Sequence, residues 1–314
     1  MNSKMPLRLL LGPQRPIVNL DSAVARSGIG DGPIGVISAA WQEAEGDIDD
    51  VQRLVLNPLF DLRIYERTEE LFAADKRLHE AYRLRQDRLK EQQRLYRMRL
   101  RHLMVAARQT LRTEGEPAVV AAERRHAISQ LRALDRHHLG QIEKVHARFD
   151  SVFTADSHAL LSEYTAAIED ELSRFKTVLI TGGNVVVLMN RLRLFGLDRL
   201  LQRKNIIAWS AGAMVLCDHI VLFHDRMPQG RRDPEIVDEG MGLLPSIVLL
   251  PDAKGRLRAK DLVRVKLLSR RFAPASCMTL DNGSLLLFES ETLRDSEAAK
   301  RITRNGSFKR VRAA

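Results

Sequence analysis

The chain has 314 residues, 45% of them hydrophobic and 29% charged, with a formal net charge of +10. That length is one enlarged domain or one domain carrying an insertion, and no apolar run approaches the roughly eighteen residues a membrane span needs. Two cysteines, Cys217 and Cys277, exclude a disulfide scaffold and a cysteine-only zinc site, and the apolar stretch 7–11 is too short for a signal peptide, so a cytoplasmic location is expected.

In chain order, residues 7–11 form a short apolar run stopped by Gly12-Pro13, and residues 34–37 follow Gly32-Pro33. A third run is read at 60–65. The same grammar resumes at 177–180, 206–209, 246–250 and 278–280. Short apolar runs separated by helical patterns predict a mostly parallel sheet with helices on both faces, a three-layer α/β sandwich. Asn305-Gly306, between residues 300–303 and 308–311, predicts a closing hairpin.

Between about 68 and 174 the grammar changes to Ala, Leu, Arg, Glu and Gln, with Pro117, Gly115 and Gly140 as the only helix-breaking residues. Leu78, Leu89, Leu100 and Leu111 recur every eleven residues, as do Leu84 and Leu95, and Arg77, Arg88 and Arg99. Eleven residues make three turns at about 3.67 per turn, so each class holds one face of a long helix. A break at Gly115-Glu116-Pro117 predicts a second helix at 117–148, and a third is read at 157–174. The chain thus divides into an α/β part, 1–67 with 176–314, and a helical insertion, 68–175.

The positive charge is concentrated on the first long helix, where residues 76–112 carry twelve Lys and Arg against Glu80, Asp87 and Glu91. These positions spread around the helix, with only Tyr82 and Tyr96 as aromatics and no nucleic-acid-binding motif. A basic face contacting acidic partners or a second subunit is therefore preferred to one contacting nucleic acid. Three acids precede a histidine by three residues: Glu123/His126, Asp135/His138 and Glu143/His146. Di-metal bundles use such pairs from different helices, whereas these share one helix. His138 also sits within the apolar stripe of Leu131, Leu134, Ile142 and Phe149. A buried, hydrogen-bonded histidine is the reading; no metal or cofactor is expected.

The chemical centre is Ile206-Ile207-Ala208-Trp209-Ser210-Ala211-Gly212-Ala213. A strand running into small-x-Ser-small-Gly and then a helix is a nucleophile elbow, a sharp turn that pushes the serine oxygen out of the sheet edge. Together with Gly182-Gly183-Asn184 and Gly240-Met241-Gly242-Leu243-Leu244-Pro245, this resembles the serine peptidases of the S51 type, aspartyl dipeptidase and cyanophycinase among them, which share the class I glutamine amidotransferase-like fold. The resemblance covers 177–288 well and 7–65 more loosely. It implies that Ser210 is the nucleophile, that the N–H groups of Gly182, Gly183 and Ala211 form an oxyanion hole, and that Asp225 is the acidic triad member. The position implied for the triad histidine is Asp252, so the triad is degenerate. His224 and His219 are the alternative bases. The expected function is serine hydrolysis of a small peptide or other amide. The alternative is a non-catalytic relative that binds a small ligand and uses its basic arm for macromolecular or subunit contact.

Overall fold

The computed structural model describes residues 5–224 and 232–313. The chain begins β1 (Leu7–Leu11), α1 (Leu20–Ser27), β2 (Ile34–Ile37), a 3-10 turn (Ala39–Ala44), α2 (Asp49–Gln52) and β3 (Leu59–Asp61). Four helices follow: α3 (Ile64–Ala74), α4 (Lys76–Arg112), α5 (Pro117–Asp150) and α6 (Ala159–Ser173). The chain then runs through β4 (Thr177–Ile180), α7 (Val185–Leu194), α8 (Leu197–Leu201), β5 (Asn205–Trp209), α9 (Ala211–Met214), β6 (His219–His224) and β7 (Arg232–Glu239). Last come β8 (Ile247–Pro251), α10 (Ala253–Arg256), α11 (Leu262–Phe272), β9 (Ser276–Leu280), β10 (Leu285–Glu289), β11 (Thr292–Glu297), β12 (Lys300–Ile302) and β13 (Phe308–Arg310).

The central sheet has the order β11-β10-β1-β5-β4-β2-β3. β1 to β5 pair in parallel, and β10 and β11 add an antiparallel edge. Its middle strands are apolar at nearly every position because both faces are covered, with Arg8, Thr177 and Asn205 as the polar residues of β1, β4 and β5. Leu10, Val178, Ile180, Ile206 and Ala208 enter one hydrophobic cluster, while Leu9, Leu11, Leu179, Ile207 and Trp209 enter the other. The expected mixed α/β architecture with a mostly parallel sheet and a long helical segment is what the structure has.

Three details differ from the sequence reading. The runs 246–250 and 278–280 form strands, but in a separate sheet ordered β13-β12-β9-β8, in which β8 and β9 are parallel. Such runs specify a buried strand without specifying its sheet. The third strand ends at Asp61, and α3 starts at Ile64 because the distant Glu45 carboxylate accepts from Tyr65 N and Glu66 N (2.9 and 2.7 Å). The apolar pattern over 188–201 reads as one helix, whereas the structure has two, α7 and α8, divided at Gly196 with φ 60°. The hairpin at Asn305-Gly306 is present, with β12 antiparallel to β13.

Helix α4 has 37 residues, a length of about 55 Å. Its buried positions repeat at eleven, as Tyr82, Gln93 and Met104 and as Arg85, Tyr96 and Ala107, while Leu78 and Leu100 are two repeats apart. Leu84 and Leu95 share the period but face outward. Asp75 caps the start of α4, accepting from Leu78 N at 2.9 Å. Glu116 caps α5 ahead of Pro117, accepting from Ala118 N and Val119 N. One half of the α4–α5 hairpin forms its own cluster around Tyr96, Leu100, Leu131 and Leu134, joined by Leu267 of α11. The other half joins the main core through Leu78, Tyr82, Phe149 and Phe153.

Two arginines of the basic helix pair with acids of β7 in the same chain. Arg97 makes a bidentate pair with Glu235 of β7 (2.5 and 2.9 Å), and Arg108 pairs with Asp233. From α5, His146 Nε2 lies 3.0 Å from Asp238. The buried Arg271 guanidinium donates to both Asp135 oxygens (2.7 and 2.6 Å), to Tyr96 Oη (2.6 Å) and to Pro234 O (2.6 Å). Tyr96 stacks on His138 at 3.9 Å, and His138 Nε2 meets Gln93 Oε1 at 2.9 Å. Asp135, His138 and His146 therefore have hydrogen-bonding roles between α4, α5, α11 and β7. Among the described residues, no group of three or more His, Cys, Asp or Glu is arranged to hold a metal ion. No helix among them is long and apolar enough to cross a membrane.

Candidate active site

Strand β5 delivers Ser210 to the carboxyl end of the central sheet, where open α/β sheets bind ligands. Ser210 adopts φ 47°, ψ −114°, a conformation that a side-chain-bearing residue holds only under constraint. The constraint is visible. Ser210 N donates to Leu11 O on the neighbouring strand at 3.1 Å, and Ser210 O accepts from Ala213 N and Met214 N, both at 3.1 Å. The chain must also pass close to β4. A Cβ on Gly212 would lie 2.3 Å from Ile180 O, so only glycine fits there.

The loop after β4 forms the facing wall. A Cβ on Gly182 would lie 2.8 Å from the Trp209 ring and 3.1 Å from Ser210 Cβ. Gly183 has φ 140° and runs against Ala40, to whose carbonyl Asn184 N donates at 3.0 Å. Asn184 Oδ1 then accepts from Val186 N and Val187 N to start α7. Among the described residues, no acceptor takes the N–H of Gly182, Gly183 or Ala211. These three backbone donors, on residues that line one cavity with Ser210, are thus without an acceptor among the described residues.

These residues line a cavity of about 1170 Å³. Its walls come from the ends of β1, β4, β5, β8 and β9 and from the segment after β2. Gly182, Gly183, Ser210, Ala211 and Asp252 all belong to the lining. Asp252 sits just after β8 with φ 55°, and its Oδ2 lies 3.5 Å from Arg256 Nε. His219 is not in the lining; its Nδ1 faces Asp218 O at 2.8 Å. His224 is not in the lining either, although it ends the strand whose Leu222 is. Asp225 lies outside the described residues.

Sequence reasoning missed Trp41, Arg15, Arg53, Arg256 and Asn282, all of which line the cavity. Asn282 Nδ2 donates to Ile17 O at 2.8 Å and Asn282 Oδ1 accepts from Ile17 N, which holds the loop after β1 over the site. Charge is mixed in the cavity: Arg53 pairs with Asp50 at 2.8 Å, and Arg15 lies 3.7 Å from the same carboxylate. The available signal was positional, since loops at the carboxyl ends of parallel strands carry ligand contacts.

Comparison with known proteins adds a lineage to this geometry. The profile of Peptidase family S51 matches residues 137–295, a stretch containing Gly182, Gly183, Ser210, Ala211 and Asp252. A solved structure of a peptidase from an acI-B1 Actinobacterium aligns with 100% of this chain and 96% of its own, at 13% identity and a TM-score of 0.46. No curated protein matches. The family profile spans just over half of the sequence, and the chain belongs to peptidase family S51.

Proposed function

We propose that this chain cleaves a small peptide or other amide through Ser210, with the N–H groups of Gly183 and Ala211, flanked by Gly182, receiving the oxyanion. Membership of peptidase family S51 supports a peptidase-type hydrolase. The observation that carries the finer reading is the strained Ser210 turn opening onto unengaged backbone N–H groups. That arrangement fits a nucleophile elbow on a class I glutamine amidotransferase-like scaffold, formed by residues 1–67 and 176–314, with 68–175 as a helical insertion.

The reaction makes two demands on the site. Ser210 Oγ must lose its proton as it attacks the carbonyl carbon, and the departing amine must gain one. The oxyanion that forms is met by donors already in place, which typically contributes about 3–4 kcal/mol per donor. The proton acceptor is the degenerate part of the triad. Asp252 stands where the resemblance implies histidine, and a carboxylate is a much weaker base than an imidazole. Of the two histidines on β6, alternation along the strand favours His224, which shares a face with the cavity-lining Leu222, over His219. His224 is therefore the base in this reading.

A second reading, ligand binding without turnover, is favoured by one observation: among the described residues, no histidine lines the cavity. Labelling with a fluorophosphonate separates the two. The wild-type chain is expected to be labelled and Ser210→Ala is not. Absence of labelling in the folded wild-type protein would leave the binding reading.

A further inference from the structure

A second concave site lies away from the Ser210 cavity and shares no lining residue with it. It is a cleft of about 630 Å³ between α5, the end of α11 and the β12–β13 turn. Five arginines line it: Arg125, Arg132, Arg136, Arg270 and Arg304. No acidic residue does. Among the described residues, none of the five is paired with a carboxylate, in contrast to Arg97, Arg108 and Arg271 nearby.

The cleft is built rather than incidental. Arg132 donates from Nε to Arg271 O at 3.1 Å and from Nη2 to Arg270 O, so its guanidinium covers the carbonyl end of α11. That end would otherwise present negative potential to the cleft. Arg270 Nε donates to Arg304 O at 3.0 Å, and Ser269 Oγ donates to Thr303 O at 3.0 Å, tying the hairpin turn to the helix. Arg270 and Arg271 also suit a helix C-terminus on their own account. No such explanation covers Arg125, Arg136 and Arg304, which are exposed and make no side-chain hydrogen bond among the described residues. Grouping like charges around one concavity raises the free energy of the empty protein, and a bound anion relieves it.

We propose that this cleft binds a compact oligophosphate. Guanidinium groups pair bidentately with phosphoryl oxygens, and the volume is that of a small-molecule site. The lining contains no aromatic ring on which a nucleobase could stack; its apolar members are Ile128, Ala273 and Pro274. Recognition therefore falls on the phosphoryl groups alone.

The test uses inorganic tripolyphosphate as the probe, titrated at physiological salt into the full chain and followed by calorimetry and thermal melting. The variant Arg125→Gln/Arg136→Gln/Arg304→Gln removes only exposed guanidinium groups. The control Arg77→Gln/Arg83→Gln/Arg101→Gln removes the same charge from exposed positions of α4. Tripolyphosphate is expected to bind and to raise the melting temperature of the wild type. The cleft variant should weaken binding about tenfold or more and the control less than about threefold. Equal weakening in both variants, or no binding at millimolar probe, overturns the proposal. So does a single-stranded RNA or a phosphatidylserine vesicle that needs these three arginines when tripolyphosphate does not bind.

Discussion

Ser210 and Asp252 are the two side-chain-bearing residues of the cavity floor and rim held at positive φ, 47° and 55°. Conformations of this kind cost about 1–3 kcal/mol for a constrained site, and both residues here line the same cavity. If Asp252 occupies the place of a lost base, Asp252→His should accelerate fluorophosphonate labelling by about tenfold or more, since imidazole can both accept and return the proton. An unchanged or slower rate would show that position 252 is not where the base belongs. The Ser210 turn was legible in sequence because the backbone crowding there demands a row of small residues, Ala208, Ala211, Gly212 and Ala213. Trp41, Arg15 and Asn282 were not legible. They share a cavity with Ser210 only through the strand order β10-β1-β5-β4-β2, which no local pattern encodes.

At the scale of elements, the helical hairpin and β7 are joined by a buried polar network centred on Arg271 and Asp135. Every nitrogen of that guanidinium has a partner, and the aromatic pair Tyr96–His138 closes one side. Removing one member strands the other. Asp135→Ala is expected to destabilise the fold by about 3–5 kcal/mol, read by denaturant unfolding. A loss under about 1 kcal/mol would mean that Arg271 is rehydrated or re-paired. The helices themselves were readable from composition and from the eleven-residue period. The period alone does not say which repeating class is buried: Leu84 and Leu95 face water, whereas Arg85 and Gln93 are inside. Polar residues are tolerated there because Gln93 meets His138, and the Arg85 guanidinium lies over the Tyr82 and Phe149 rings at 4.7 and 4.2 Å.

For the whole molecule, part of the excess charge is spent internally, and the same buried contacts set the acid limb of stability. Burial pulls His138 down to about 4, while the unfolded residue titrates near 6.5. Between those values the unfolded chain binds a proton that the native chain refuses, so stability falls as pH drops from about 6.5 to about 4, by on the order of 3 kcal/mol. Burial pushes Glu45 up to about 7, which has the opposite slope: its contribution is lost as pH rises from about 4.5 to about 7. His138→Gln should therefore flatten the acid limb selectively in urea unfolding measured from pH 4 to pH 7. An unaltered acid slope would remove His138 as its cause. The β6–β7 ribbon lies between two such systems, with the charged contacts of α4 and α5 on β7 and the cavity residue Leu222 on β6. Two sites that bias one element are thermodynamically linked, and the linkage is reciprocal. If an occupant of the serine cavity shifts this ribbon through Leu222, then whatever shifts it by gripping the long helices alters affinity at the cavity, and the occupant alters that grip by the same factor.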